Sequence, residues 1–201
     1  IDNIRRSLST FFSWLEEEDY IIKSPMKRIH KVKTAIIVKE TIPDEKVEIL
    51  RDNCNNLRDR AMIDFLLSTG IRVGELVRLN IDDIDFSERE CVVYGKGDKE
   101  RKAYFDAKTK IHLMNYIESR TDNNSALFVS LNKPHSRLTE SGVEKVHPHK
   151  FRRTMATRAI EKGMPIEQVQ KILGHEQIDT TLRYAMVNQN NVKLSHRKYI
   201  S

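Results

Sequence analysis

The chain has 201 residues, of which 39% are hydrophobic and 32% charged. That balance excludes a disordered polypeptide, and the length suits one full domain plus part of a second. A formal net charge of +6 and a pI near 9.3 are compatible with a polyanionic partner, although many basic proteins bind nothing acidic.

Cys54 and Cys91 form no CxxC pair, so neither a zinc site nor a disulfide framework is expected. There is no long apolar run and no secretory signal, so a cytoplasmic protein with no membrane partner is expected. The chain opens on Ile1, directly in a helical pattern, and is expected to be part of something longer.

Ile4, Leu8, Phe11, Phe12 and Leu15 recur at helical spacing over residues 1–20. That stripe suits the last helix of a helical domain. Residues 21–42 then read as a basic linker: Lys23, Lys27, Arg28, Lys31 and Lys33 stand together with no acid among them. Such a run is either a solvated loop or a strap that tracks phosphates.

A second domain is expected over residues 43–201. Helices are predicted at 44–52 and 57–69, the latter with Ala61, Met62, Phe65 and Leu66 on one face and Gly70 as its C-terminal cap. A further helix starts near Arg72–Val73. Residues 90–105 alternate as a hairpin with its turn at Gly95-Lys96-Gly97-Asp98. A helix follows at 107–119, and the remainder reads as helical, broken at Gly163, Gly174 and near Asn188. The fold class is mainly α with a small antiparallel sheet.

Four places carry chemistry-bearing residues. Arg72 sits at a helix start with Glu75 three residues on, where a guanidinium could offer a forked donor pair to phosphate; an Arg–Glu surface pair fits equally. Lys96 tips a hairpin that could reach into a cleft or simply be solvated. Pro148 favours a helix start, which places His149 and Arg152 as neighbours at an anion-friendly N-terminus. His175 follows Gly174 at a helix end, with Tyr184 nine residues later. Each signal alone is weak.

Together TGIRVGEL, the GKGDKER hairpin, HPHKFRRTMAT and LGHEQIDTTLRY resemble the tyrosine recombinases, or phage integrase family, nearest the Xer and mobile-element branch. The resemblance runs from about residue 43 to the end, and the front of the chain is similar to the end of the family's helical core-binding domain. It implies catalytic roles for Arg72, Lys96, His149, Arg152 and His175 around one scissile phosphate, with Tyr184 as nucleophile. Glu75 and Arg153 take supporting positions. It also implies a double-stranded DNA substrate, a 3′-phosphotyrosine intermediate, no metal and no cofactor. A tetramer on DNA, joined through residues 188–199, is expected too. A type IB topoisomerase or telomere resolvase using the same step, and a non-catalytic accessory protein on the same fold, are the alternatives.

Two departures stand out. Arg153 occupies a position where many relatives carry histidine. Ser141–Val146 joins His147 almost directly, where relatives carry roughly one more helix with its connection. A missing segment is therefore expected near residues 143–147.

Overall fold

In a computed structural model of the chain, the structure describes residues 2–30, 40–95, 99–144 and 146–185. Two compact units divide between Ile37 and Val38. The first holds helix α1 (Asp2–Glu17) and a 3-10 turn over Pro25–Arg28. Much of the apolar stripe of α1 is exposed, including Ile4, Leu8 and Phe11.

The expected linker 21–42 begins with local structure of its own. Residues 21–28 fold back on α1, because Glu16 accepts the Ser24 N–H at 3.3 Å and pairs with Lys27. Met26 is buried by that turn. Lys23 and Arg28 are exposed. Lys31 and Lys33 lie outside the described residues.

The second unit is organised by α3 (Leu57–Thr69), capped at its start by Asn56, whose side chain accepts from the Asp59 N–H at 2.8 Å. Gly70 closes it in the left-handed conformation at φ 60°. The single apolar face expected for α3 is too narrow: Ala61 through Leu67 are all buried. This central helix packs on both α5 (Ala107–Glu118) and α7 (Pro148–Glu161), and a helix buried all round needs no polar face. Asp64 is tolerated inside because Arg51 Nε donates to it at 2.6 Å and His112 Nδ1 pairs with its other oxygen.

After α2 (Asp44–Asp52), α3 and α4 (Val73–Arg78) comes a three-stranded antiparallel sheet. Its strands are β1 (Ile84–Asp85), β2 (Glu90–Tyr94) and β3 (Glu100–Tyr104). The two-residue β1 is too short to show alternation in sequence, so only the β2–β3 hairpin was legible. Cys91 pairs with Ala103, and Val93 with Arg101. Cys91, Val93 and Ala103 are buried, so the period of two turns Arg101 to the inner face as well.

Residues 120–139, expected to be helical, are not. Arg120 Nη1 donates to the Ala126 carbonyl and Nη2 to that of Asn124, both at 2.6 Å. Bridges join Asn80 to Ala126 and Val129 to Arg137. These contacts, most within the segment and one to distant Asn80, satisfy the backbone in place of a helix ladder.

Helices resume with α6 (Glu140–Glu144), then α7, α8 (Ile166–Leu173) and α9 (Ile178–Ala185). Between α6 and α7 the Val146 N–H donates to the Val143 carbonyl at 2.9 Å, and His147 takes a left-handed φ of 55° directly before Pro148. Lys145 and residues 188–199 lie outside the described residues.

Candidate active site

The end of α8 is the centre of the site. The last carbonyls of a helix have no partner within it and carry the negative end of its dipole. Here three consecutive carbonyls each accept from a different arginine. Arg101 Nη1 donates to Ile172 at 2.5 Å, Arg152 Nη2 to Leu173, and Arg72 Nη2 to Gly174 at 3.0 Å. Arg152 also donates from Nη1 to the Gly70 carbonyl at 2.6 Å, which ties the caps of α3 and α8 together.

One buried carboxylate serves this cluster. Glu75, at the third position of α4, accepts the Arg72 backbone N–H on Oε2 and Arg72 Nη1 on Oε1, both at 2.8 Å. The reach back to the helix-start N–H is half of a capping box. Its Oε2 also accepts from Arg101 Nη2 at 2.6 Å. The surface-pair reading of Arg72 and Glu75 is thereby set aside, since the Glu75 side chain is 3% exposed and that of Arg72 36%.

Gly174 must be glycine on two counts. Its φ is 61°, and a Cβ there would stand 2.7 Å from Arg101 Cδ and 2.8 Å from Arg101 Nε. The left-handed turn that it makes then presents His175. The His175 Nδ1 lies 2.8 Å from the buried Thr181 hydroxyl. Its ring stacks on Tyr184 with centroids 6.0 Å apart. Tyr184 sits on α9 and packs against Ala156, Val169 and Leu173.

Burial and positive neighbours act on the titratable groups. Burial first, then Arg72 and Arg101, bring Arg152 down to about 10, which still leaves it charged at neutral pH. Burial first, then Arg152, Arg72 and Arg101, bring His175 down to about 4.

The neutral imidazole makes a pH prediction. The unfolded chain, with His175 near its usual 6.5, binds the proton that the folded chain rejects down to about 4. The stability contribution is full above 6.5 and is lost as pH falls through that window. Linkage sets a ceiling of roughly 3 kcal/mol, nearer 1–2 kcal/mol once the partial exposure of the ring is discounted. Denaturant unfolding should show wild type losing more stability than His175→Asn between pH 6.5 and 4.5. Parallel curves would refute it.

Of the residues expected at the site, Arg72, Glu75, Arg152, His175 and Tyr184 belong to one connected group. His149 is exposed on the first turn of α7, one turn before Arg152, and makes no hydrogen bond among the described residues. Arg153 Nη1 donates to the Glu40 carbonyl at 3.2 Å. Lys96 lies outside the described residues, but the hairpin root borders the cluster: a Cβ on Gly95 would stand 3.7 Å from Glu75 Oε1 and 3.9 Å from Arg72 Nη1. Arg101 was missed. The signal available was a charge on the inward-facing phase of β3, in step with Ala103 and Phe105.

The profile of the phage integrase family matches residues 40–191. The chain is 32% identical to the tyrosine recombinase XerC of Oceanobacillus iheyensis, over 98% of this chain and 73% of that one. It superimposes on the XerA recombinase crystal structure with TM-score 0.71 and 25% identity, covering 96% of this chain and 74% of the other. It also superimposes on the Tn1549 transposon integrase in complex with circular intermediate DNA, with TM-score 0.77 and 20% identity, covering 100% and 78%. The chain belongs to the phage integrase family, and with it to the tyrosine recombinases. The XerC alignment runs over 225 positions, more than this chain has, so that relative carries residues without a counterpart here.

Proposed function

We propose that this chain is a site-specific DNA recombinase that cuts and rejoins strands by transesterification through Tyr184. The observation that carries this reading is the convergence of Arg72, Arg101 and Arg152 on one helix end beside His175 and Tyr184, with Glu75 as the buried carboxylate among them. Such a pocket holds surplus positive charge partly out of water, which suits a phosphodiester.

In the first step the Tyr184 hydroxyl oxygen attacks phosphorus, the bond from phosphorus to the 5′ oxygen breaks, and a 3′-phosphotyrosine forms. A phenol in water has a pKa of about 10, so its proton must be taken as attack proceeds; His149, at the start of α7, takes that role directly or through a water. Arg72 and Arg152 stabilise the charge that builds on the nonbridging oxygens. Both have N–H groups to spare, since a guanidinium carries more donors than these helix and carboxylate bonds use. With Thr181 donating to Nδ1, neutral His175 keeps its N–H on Nε2 for the same oxygens. Lys96 gives the departing 5′ oxygen its proton. A 5′ hydroxyl from a second strand then reverses the step and frees Tyr184. The covalent link conserves the bond energy, so no nucleotide cofactor enters.

The DNA partner is extended to this chain from its relatives, among them the integrase held with DNA. From such a substrate and the bacterial relatives we infer a cytoplasmic location. Among the described residues no helix is long and apolar enough to cross a membrane. Lys23 and Arg28 are exposed cations of the basic run that could track phosphates, and Lys31 and Lys33 follow them in the sequence. Duplex affinity should therefore fall by about tenfold or more between 50 and 200 mM salt; a flat response would remove the strap.

The test is incubation of the full-length protein with nicked duplexes from its element's junctions, followed by a search for an SDS-resistant adduct. Peptide mapping should place the phosphate on Tyr184. We also infer a polypeptide segment between Val143 and His147 that this sequence lacks. The same map would overturn that if it held one uninterrupted peptide through those residues. Sedimentation of the complexes reads the expected tetramer, joined through residues 188–199; a lone protomer per duplex would remove it.

A further inference from the structure

Arg101 is unusual in three ways. It occupies the inward phase of β3, opposite Val93 and two residues before the buried Ala103. Its side chain is 11% exposed. Its Nε is buried without a hydrogen-bond partner. A cation placed there, beside Arg72 and Arg152, is electrostatically unfavourable, and a fold needing only a packed strand would use an aliphatic residue. What it does is join three elements. Nη2 reaches Glu75, which holds both the backbone and the guanidinium of Arg72; Nη1 reaches the Ile172 carbonyl, three residues before His175; and its stem occupies the space that the missing Cβ of Gly174 leaves.

We propose that Arg101 is a positioning residue of the strand-transfer reaction, fixing Arg72 from two sides, through Glu75 and through the Gly174 carbonyl at the end of α8. This role rests on the recombinase reading above. Without Arg101, Glu75 is held from one side only and the end of α8 loses one of its ties, so both partners of Arg72 in the cleft that it lines with Gly174 and His175 are less firmly fixed. Held from both sides, Glu75 presents Arg72 at one angle. The gain is in orientation, where small misplacements carry large rate penalties. A lysine keeps the charge but lacks the fork that spans Glu75 and Ile172.

The experiment uses the full-length protein in single-turnover adduct formation on the nicked duplex. Arg101→Ala and Arg101→Lys should each slow cleavage by about 10- to 100-fold, with duplex affinity within about twofold of wild type. In an Arg72→Lys background, where the orientation that Arg101 protects is already lost, the same changes should cost less than about threefold. A general loss of packing would cost the full factor again in that background, and that result would overturn the proposal. Cleavage within twofold of wild type by both single variants would also overturn it. So would failure of both to fold, since Arg101 would then be a structural residue only. A folded wild type that makes no adduct would instead sink the recombinase reading on which the role rests, which keeps the two failures apart.

Discussion

Tyr184→Phe is expected to abolish the SDS-resistant adduct while leaving the fold and duplex binding intact. The ring of Tyr184 packs on Ala156, Val169 and Leu173 and stacks on His175, and phenylalanine keeps both contacts. Only the hydroxyl is lost. Its removal should change stability by less than about 1 kcal/mol, within the range of a mild substitution at a partly exposed position. The reaction has no substitute for that oxygen, so the covalent product should fall by at least about 10⁴-fold, to the limit of detection. Gel analysis after SDS, beside a binding isotherm, reads both quantities. An adduct that survives in the variant would move the nucleophile elsewhere. Loss of binding together with the adduct would mean that the ring, rather than its oxygen, is what matters.

Arg152→Lys should damage catalysis less than the tyrosine change but, unlike it, should also be costly to the fold. Arg152 is 5% exposed and spans the Gly70 and Leu173 carbonyls with its two terminal nitrogens. Lysine keeps the charge and loses the fork, so one carbonyl is left buried without its donor. That costs about 1–3 kcal/mol, a drop of several degrees in melting temperature for a chain of this size. Loss of one preorganised donor to the transition-state phosphate should slow cleavage by about 100- to 1000-fold. Thermal unfolding and single-turnover cleavage on one preparation separate the two effects. Cleavage within tenfold of wild type would show that Arg152 holds the helix ends and does not reach the phosphate.

Both expectations come from the same arrangement. The end of α8 takes one bond from each of three arginines that the chain carries on α7, β3 and the start of α4. The helix end orders the cations, and burial first, then those cations, keep His175 neutral well below its ordinary titration range. A neutral ring can accept on Nδ1 from Thr181 and still donate from Nε2, and its lowered pKa explains why acid should cost this protein stability.

Much of this was legible in the residues themselves. Local rules bounded α3 by Gly70, started α7 at Pro148 and broke the chain at Gly163 and Gly174, because caps, prolines and left-handed glycines act on their immediate neighbours. The ordered motifs single out Arg72, Glu75, Arg152, His175 and Tyr184 through their resemblance to the family. Tertiary structure decided what depends on distant contacts. Residues 120–139 are not helical because Arg120, Ala126 and Arg137 find partners outside any helix ladder. Residues 21–28 join α1 because Glu16 meets Ser24 and Lys27. Arg101 reads as one more charge on a short strand until Val93 is set opposite it and Glu75 and Ile172 are brought to its two nitrogens. Sequence spacing carries the period of a strand, but which charges a folded chain gathers around one helix end is fixed only when elements far apart in the chain pack together.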